Sequence, residues 1–281
     1  MEDIYTDFQN ATNIFYLCYK KAIGHYTMPS NHFHDRFEIF YLLSGERYYF
    51  IKDRTFFIKK GDLVLINIYD LHKTIDTGVP NHERILIKFS KEFVNTLNSP
   101  IDEIMTPLFN VNLIHFSIQA QISVEDILQK MLHEIDSKKT GFELSLQSLL
   151  MQLLIFSTRY IEKNPAHTPE HPSPIHQKIS EIVQYINLHY PEEISLSSIS
   201  KLFFVSPYYL SRAFNKVTGF TFIEYLNIVR IKEAQRLLRE SRLSASAIAE
   251  KVGFGSIAHF GRVFKTITDK SPLHYRKFNR L

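Results

Sequence analysis

Two segments near the C-terminus repeat one pattern of residues, and this repeat constrains the fold more than any other feature of the chain. Each segment begins with Ser and then spaces an apolar residue, an Arg and a Phe two residues apart. These residues are Leu210, Arg212 and Phe214 in the first segment, then Phe260, Arg262 and Phe264 in the second. A short helix with this spacing buries its apolar residues and exposes its Arg. Two basic helices of this kind suit two major grooves of one DNA duplex.

Charge is distributed unevenly along the 281 residues. Residues 175–281 contain 16 Lys and Arg against 8 Asp and Glu, a net charge of +8, whereas the rest of the chain has 17 against 21, a net charge of −4. The basic half predicts a polyanionic partner, although a solvated lysine-rich surface would give the same balance. A single cysteine, Cys18, excludes an intrachain disulfide, and no secretory segment or bilayer-length apolar run is found. We therefore expect a cytoplasmic protein.

A proline-rich stretch divides the chain. Pro165, Pro169, Pro172 and Pro174 all fall within residues 164–174, and they favour an extended linker because they cannot continue a helix. We therefore predict one domain over residues 1–163, a linker over 164–174 and a second domain over 175–281.

The first half reads as strands followed by helices. Five short runs rich in β-branched and aromatic residues, bounded by turn residues, predict strands at 37–43, 48–51, 55–58, 63–68 and 84–89. Strands at this spacing indicate a sandwich or small barrel. Two apolar stripes at helical spacing then predict a helical hairpin. The second stripe consists of Leu146, Leu149, Leu150, Leu153 and Leu154.

The second half predicts two helix-turn-helix units, at about 196–217 and about 245–267. The connecting helix, 222–239, would be roughly 26 Å long, which could hold two recognition helices about 34 Å apart, one duplex turn. An Arg can pair with guanine through two hydrogen bonds, while Lys and backbone amides hold phosphates. The candidate DNA-contacting residues are Ser206, Pro207, Tyr208, Tyr209, Ser211, Arg212, Asn215 and Lys216 in the first unit, and Ser256, Ile257, Ala258, His259, Arg262 and Lys265 in the second.

Residues 179–278 resemble the C-terminal domain of the AraC/XylS transcription regulators. The resemblance rests on the segments 206–214, 219–226, 230–234, 237–238, 248–254, 259–265 and 271–276. Two features depart from the family pattern. Ala258 and His259 replace a small polar residue and an aromatic one, and Asp269 stands where Gly is usual and places a negative charge near the expected phosphate path. We therefore expect the second unit to contribute less to base recognition than the first.

His32, His34 and Glu38 would point to one face of a single extended strand. Together with His72 they are similar to the two motifs of cupin barrels, which in metal-binding cupins supply three His and one Glu to a divalent ion. Nitrogen and oxygen ligands suit Mn, Fe, Ni or Zn. Because the glycine and proline positions of those motifs are altered, we expect no metal and no cofactor. These side chains would instead satisfy one another or line an effector pocket made by His32, His34, Glu38, Tyr41 and His72.

The predicted fold class is therefore α+β and multidomain: an N-terminal cupin-like β-barrel (jelly roll) with a helical hairpin, and an all-α C-terminal domain. The leading hypothesis is a sequence-specific transcription regulator that responds to a carbohydrate or another metabolite. The resemblance implies a homodimer through the five leucines, and RNA polymerase as a partner if the protein is an activator. Packing of the leucines on the barrel is the other interpretation. Two alternatives remain for the function: a metal-dependent cupin enzyme (dioxygenase or isomerase) fused to a DNA-binding domain, and a regulator tuned by a protein partner.

Overall fold

The computed structural model describes residues 4–28, 34–95, 101–164 and 172–279. Contacts within the chain separate two units, residues 1–172 and residues 173–281. The division falls in the proline-rich stretch, of which residues 165–171 lie outside the described ranges. In the part of the chain that the structure describes, no helix is both long and apolar enough to cross a bilayer.

The first unit begins with strands, which lie in two antiparallel sheets. The strands are β1 (Ile4–Gln9), β2 (Phe15–Ala22), β3 (Phe37–Ser44), β4 (Glu46–Ile51), β5 (Arg54–Lys59), β6 (Asp62–Ile66), β7 (His72–Ile75), β8 (His82–Phe89) and β9 (Leu113–His115). One sheet has the order β1-β2-β8-β3-β6-β9, and the other has the order β5-β4-β7. Five of these strands coincide with the five predicted runs, whereas β1, β2, β7 and β9 were not predicted.

Alternate residues of β3 face two different cores, because successive side chains of a strand point to opposite faces. Phe40 and Leu42 pack between the two sheets, in what we call the barrel core. Ile39 and Tyr41 pack on the outer face of the larger sheet, against helices. Glu38 has the parity of Phe40 and therefore lies on the barrel side of the strand.

The helices of the first unit are α1 (Lys91–Val94), α2 (Ile101–Val111), α3 (Ile118–Ser137) and α4 (Phe142–Lys163). Here the structure corrects the role predicted for the leucines of α4. All five are buried in the core that the helices form with the outer face of the sheet: Leu146, Leu149, Leu150, Leu153 and Leu154. A side chain already buried within its own chain has no surface left to bury against a second subunit. These leucines hold the hairpin on the barrel, so a dimer interface would need other residues.

The second unit is helical: α5 (Pro174–His189), α6 (Leu196–Leu202), α7 (Pro207–Thr218), α8 (Phe222–Glu240), α9 (Ala245–Lys251), α10 (Ile257–Thr268) and α11 (Pro272–Asn279). The long helix α8 is fixed at both ends. Near its start, Tyr225 packs its ring on Phe214 of α7 with centroids 5.7 Å apart. Near its end, Leu238 shares a buried core with Phe264 of α10. The predicted fold class, with a sheet-rich first domain and an all-α second domain, is confirmed.

Candidate functional site

The two recognition helices α7 and α10 begin in the same way. The Ser206 hydroxyl accepts a hydrogen bond from the Tyr209 amide at 3.2 Å, and the Ser256 hydroxyl accepts one from the His259 amide at 3.4 Å. Each serine satisfies one of the amides that the first turn leaves without a helical partner. The sequence therefore fixes where both helices start, and with that the residues that their first turns present.

Each recognition helix buries one face and exposes the other. Leu210 and Phe214 in α7, and Phe260 and Phe264 in α10, are fully buried, as the repeated spacing predicts. The opposite faces carry all fourteen candidate DNA-contacting residues, and every one of these is exposed: Ser206, Pro207, Tyr208, Tyr209, Ser211, Arg212, Asn215, Lys216, Ser256, Ile257, Ala258, His259, Arg262 and Lys265. The structure thus groups them on two polar faces of the same unit.

The first recognition helix holds its arginine in place. The Nη1 atom of Arg212 donates a hydrogen bond to the Tyr208 hydroxyl at 2.7 Å, and its Cζ lies 5.6 Å from the centroid of the same ring. This contact orders an otherwise mobile guanidinium on the exposed face. In α10 the matching position is Ala258, which offers Arg262 neither a hydroxyl nor a ring. The first helix is therefore better prepared to place an arginine against a base edge.

The two helices also end alike, although with different residues. Gly219 ends α7 with a φ of 76°, and Asp269 ends α10 with a φ of 58°. This left-handed backbone costs a residue with a Cβ on the order of 1–2 kcal/mol, and Asp tolerates it better than most residues. Asp269 therefore preserves the helix end while adding an exposed negative charge.

In the first unit, a buried carboxylate collects basic groups in the barrel. Glu38 is only 1% exposed. Its Oε2 atom lies 3.0 Å from His34 Nε2, 3.3 Å from Lys88 Nζ and 3.5 Å from His72 Nε2. Its Oε1 atom accepts a hydrogen bond from the Tyr49 hydroxyl at 2.8 Å. We call these five residues the Glu38 cluster.

The pKa shifts of Glu38 and Tyr49 indicate which groups of this cluster are charged. Burial opposes ionisation of Glu38, but the charge of His72, hydrogen bonds from both histidines and the charge of Lys88 outweigh it and hold the Glu38 pKa well below its usual range. Burial and the adjacent carboxylate raise the pKa of Tyr49 well above its usual range. The Tyr49 hydroxyl therefore stays protonated and donates a hydrogen bond to Glu38. The cluster is a buried network with an ionised carboxylate at its centre.

The cluster also has the composition of a metal site. His34 Nδ1 lies 2.9 Å from the Arg36 carbonyl and His72 Nδ1 lies 2.8 Å from the Asp70 carbonyl. Because a carbonyl only accepts, both Nδ1 atoms carry hydrogen and both Nε2 atoms face Glu38. The three ligand atoms lie within 4.8 Å of one another. They could hold a divalent ion, but Lys88 already supplies a positive charge at the same carboxylate oxygen.

The structure brings together three of the five residues predicted for the effector pocket. His34, Glu38 and His72 meet, whereas His32 lies outside the described residues. Tyr41 does not join them: it lies on the opposite face of β3, and its hydroxyl donates to Glu125 of α3 at 2.9 Å. The prediction for Tyr41 is wrong because successive side chains of a strand alternate, which places residue 41 on the face opposite to Glu38.

The prediction that one strand carries both His34 and Glu38 is also wrong. Because β3 begins at Phe37, His34 precedes the strand, and its carbonyl is held by the Tyr69 amide at 2.8 Å. Lys88, which the sequence analysis missed, is the cross-strand partner of Glu38 in the β3–β8 register. Alternation in β8 could have placed it on a face opposite to Ile87 and Phe89, but the register itself has no local signal.

Comparison with known proteins gives two family models that match different parts of the chain. Residues 199–277 match a model described as a helix-turn-helix domain. Residues 15–154 match a model described as an AraC-like ligand binding domain. The first match contains both recognition helices, and the second contains strands β2 to β9 and most of the helical hairpin.

Related proteins extend along most of the chain. It is 23% identical over 272 residues to the uncharacterized HTH-type transcriptional regulator YdeC of Bacillus subtilis, an alignment that covers 93% of this chain and 91% of the relative. It is 26% identical over 278 residues to YfiF of the same organism, with 93% and 83% covered. Among solved structures, the C-terminal domain of AraT, a response regulator from Geobacillus stearothermophilus, is 33% identical over 40% of this chain and 91% of that chain, with a TM-score of 0.37.

Proposed function

This chain belongs to the AraC family of DNA-binding transcription regulators, and we propose that α7 and α10 are the two helices that contact its operator. The observation that carries this proposal is the repeated pair of serine-capped helices with exposed polar faces, attached to the two ends of one helix. That helix, α8, has 19 residues. At 1.5 Å per residue it is about 28 Å long, which is compatible with two adjacent major grooves about 34 Å apart.

We assign Arg212 to base recognition and test it by substitution. Operator DNA is first selected from a genomic pool. Arg212→Ala should then weaken binding to that operator by about 1–3 kcal/mol, on the order of 10- to 100-fold, and should relax specificity at one position. Binding is measured by titration at fixed salt, because phosphate contacts make affinity salt-dependent.

The matched control is Arg242→Ala, which removes an exposed arginine of the same unit outside both recognition helices. It should leave operator affinity within about twofold, since a surface substitution away from the contact changes little. An equal loss for Arg212→Ala on operator and unrelated DNA would assign Arg212 to phosphate instead.

For the first unit we propose a sensor that binds a small metabolite, a carbohydrate or another compound, in the barrel. Buried polar side chains such as Glu38, His72 and Arg47 support this proposal, because an interior used only for packing would be apolar. An effector can act only if it binds one arrangement of the protein better than another. RNA polymerase is the further partner if binding activates transcription, and the buried free Cys18 suits a cytoplasmic protein.

We further propose that the chain is a homodimer and that the outer face of the hairpin, not the leucine stripe, forms the interface. Ile118 and Ile122 lie one turn apart on α3 and are 79% and 57% exposed. A groove of about 590 Å³ lies between α3 and α4 and is lined in part by Ile155 and Phe156 of α4. Exposed apolar side chains that lie together on a helix are typical of a surface that is covered in the assembled protein.

We propose that the chain is not an enzyme. The alternative, a metal-dependent cupin enzyme, requires an open coordination position beside the ligands. In the Glu38 cluster, the Lys88 ammonium instead contacts the carboxylate oxygen that both histidines face. This arrangement supports a network that organises the barrel interior.

A further inference from the structure

A second polar group lies in the barrel, near enough to the Glu38 cluster for the charge of Arg84 to act on Tyr49. Lys20 and Arg84 are cross-strand partners, and Arg84 also pairs with Leu42, which faces the barrel core. Paired residues share a face, so both cations point into the barrel. Arg47 of β4 is 1% exposed and places its Cζ 5.9 Å from the centroid of the Tyr26 ring, while Lys20 Nζ lies 4.9 Å from the same centroid. We call Lys20, Arg47 and Arg84 the cationic cluster.

The two arginines of this cluster are close enough to repel each other. Burial lowers the pKa of Arg47, Asp76 opposes that effect, and the positive charge of Arg84 lowers it further. Arg84 itself lies with its Cζ 5.7 Å from the ring centroid of Phe40, in the barrel core. Like charges are therefore held together in an interior that screens them poorly.

Negative charge near these arginines is sparse among the described residues. Asp76 lies 3.5 Å from Arg47 Nη1, but it is shared with His25, whose Nδ1 atom is 2.7 Å away. In the same described ranges, Arg84 forms no ion pair and no side-chain hydrogen bond. Two N–H groups, Arg47 Nε and Arg84 Nη1, are buried and have no hydrogen-bond partner there. A buried N–H group that finds no acceptor costs stability.

A bound anion would supply both the missing negative charge and acceptors for the unpaired N–H groups. A guanidinium presents its N–H groups in a planar fork that matches a carboxylate or a phosphate, and such charge-assisted hydrogen bonds are stronger than neutral ones. Water could accept from the free N–H groups, but it would leave the charge of Arg84 uncompensated. A neutral sugar would have the same shortcoming.

We propose that the cationic cluster binds the anionic group of the effector, a carboxylate or a phosphate ester of a small metabolite, with Arg84 as its principal ligand. This inference rests on the proposed sensor function of the first unit and makes it more specific. The Tyr26 and Phe40 rings beside the cluster offer apolar surface to the remainder of such a molecule.

Equilibrium dialysis of the 281-residue chain tests the proposal, with labelled inorganic phosphate and labelled succinate as probes at constant ionic strength set by sodium chloride. We expect one probe anion per chain in the barrel. Arg84→Met keeps the length of the side chain but removes the charge, and should weaken binding at least about tenfold, the effect of one charged hydrogen bond. Arg84→Lys keeps the positive charge but lacks the planar fork of N–H groups. Its affinity for the probe anion should lie between those of the wild type and Arg84→Met.

The control is Arg242→Met, which removes an exposed arginine of the second unit outside both recognition helices. It should leave the barrel affinity unchanged. Thermal unfolding in chloride alone checks the fold: Arg84→Met should melt no lower than the wild type, since it removes a buried N–H group without an acceptor and a charge that repels Arg47. Binding of phosphate alone would identify a phosphate ester as the effector group, and binding of succinate alone would identify a carboxylate.

Absence of binding, or binding that Arg84→Met and Arg84→Lys leave unchanged, would overturn the inference. Operator binding is measured on the same samples to keep this outcome separate from the proposed function. Specific DNA binding without anion binding overturns only the anion site. Anion binding without specific DNA binding overturns only the assignment of α7 and α10.

Discussion

Two charged residues in the barrel differ in whether the protein compensates their charge. Glu38 is surrounded by His34, His72 and Lys88, so its negative charge is compensated within the protein. Arg84 has no carboxylate partner within the described residues. A satisfied buried network stabilises one structure, whereas an unsatisfied charge costs stability unless something binds it. The two clusters are therefore suited to different tasks: the Glu38 cluster stabilises the barrel, and the cationic cluster suits recognition of an anion.

Glu38 leads to a prediction about pH. Its folded-state pKa lies well below the ordinary value of 4.5, so its contribution to stability is fully present above pH 4.5 and is lost as pH falls from there towards the folded-state pKa. Glu38→Gln should lower the free energy of unfolding at neutral pH by about 3–5 kcal/mol, because it leaves buried cations without a carboxylate. Denaturant titrations of both proteins should show a difference that shrinks as the pH falls below 4.5.

The matched substitution is Glu83→Gln, on the adjacent strand β8, where the half-buried carboxylate accepts a hydrogen bond from the Tyr19 hydroxyl at 2.6 Å. Glu83→Gln should lower the free energy of unfolding at neutral pH far less than Glu38→Gln does. The role of Lys88 is checked by metal analysis of protein purified without added metal. A stoichiometric divalent ion, with a loss of stability on chelation, would contradict a cluster neutralised by lysine.

How far the sites could be predicted differs between residues. The exposed faces of α7 and α10 follow from local spacing, because a helical period fixes which neighbours share a face. His34, Glu38 and His72 could be grouped only through a resemblance. Lys88, Tyr49 and Arg84 could not be grouped at all, since they reach the barrel core through strand register, which pairs residues far apart in sequence.

Among the elements, helix α4 shows what an apolar stripe does and does not determine. Its period predicts burial of one face correctly, but the same period suits packing on a sheet and packing on a second subunit. In the structure the stripe covers the barrel, and the outer face of α3 keeps its own exposed isoleucines. The partner of a helix is decided by tertiary contacts that no single segment contains.

Oligomeric state tests the new assignment. Ile122→Glu should yield a folded monomer by light scattering, because it places a charge in the proposed apolar interface while leaving the core intact. Ile223→Glu is the matched control: Ile223 has the same 57% exposure as Ile122 but lies on α8 of the other unit. Light scattering of Ile223→Glu should still give the mass of a dimer.

Leu150→Ala tests the correction to the leucine stripe. It should reduce the free energy of unfolding by about 2–5 kcal/mol through a core cavity, without changing the mass. A wild type that is already monomeric at micromolar concentration, or a dimer that Ile122→Glu leaves intact, would contradict the assignment of the outer face.

On the scale of the whole molecule, the chain combines a slightly acidic unit that encloses polar groups with a basic unit that exposes them. The net charge of +8 in residues 175–281 belongs with the recognition helices, and the net charge of −4 belongs with the barrel. This separation directs the second unit, and not the first, towards a polyanion. The proteins with which the chain aligns along most of its length are regulators by name, which agrees with this division of tasks.

The rigidity of α8 makes a final prediction about the operator as a whole. Because α8 is fixed to α7 through Tyr225 and to α10 through Leu238, the two recognition helices are held at one separation. Inserting five base pairs between the two groove contacts turns the second contact by about half a duplex turn and should weaken binding at least about tenfold. Inserting about ten base pairs restores the angle but adds about 34 Å, which α8 cannot span, so affinity should not recover. Footprints and titrations on the three operators measure this, and recovery at ten base pairs would mean that the two recognition helices are not rigidly coupled.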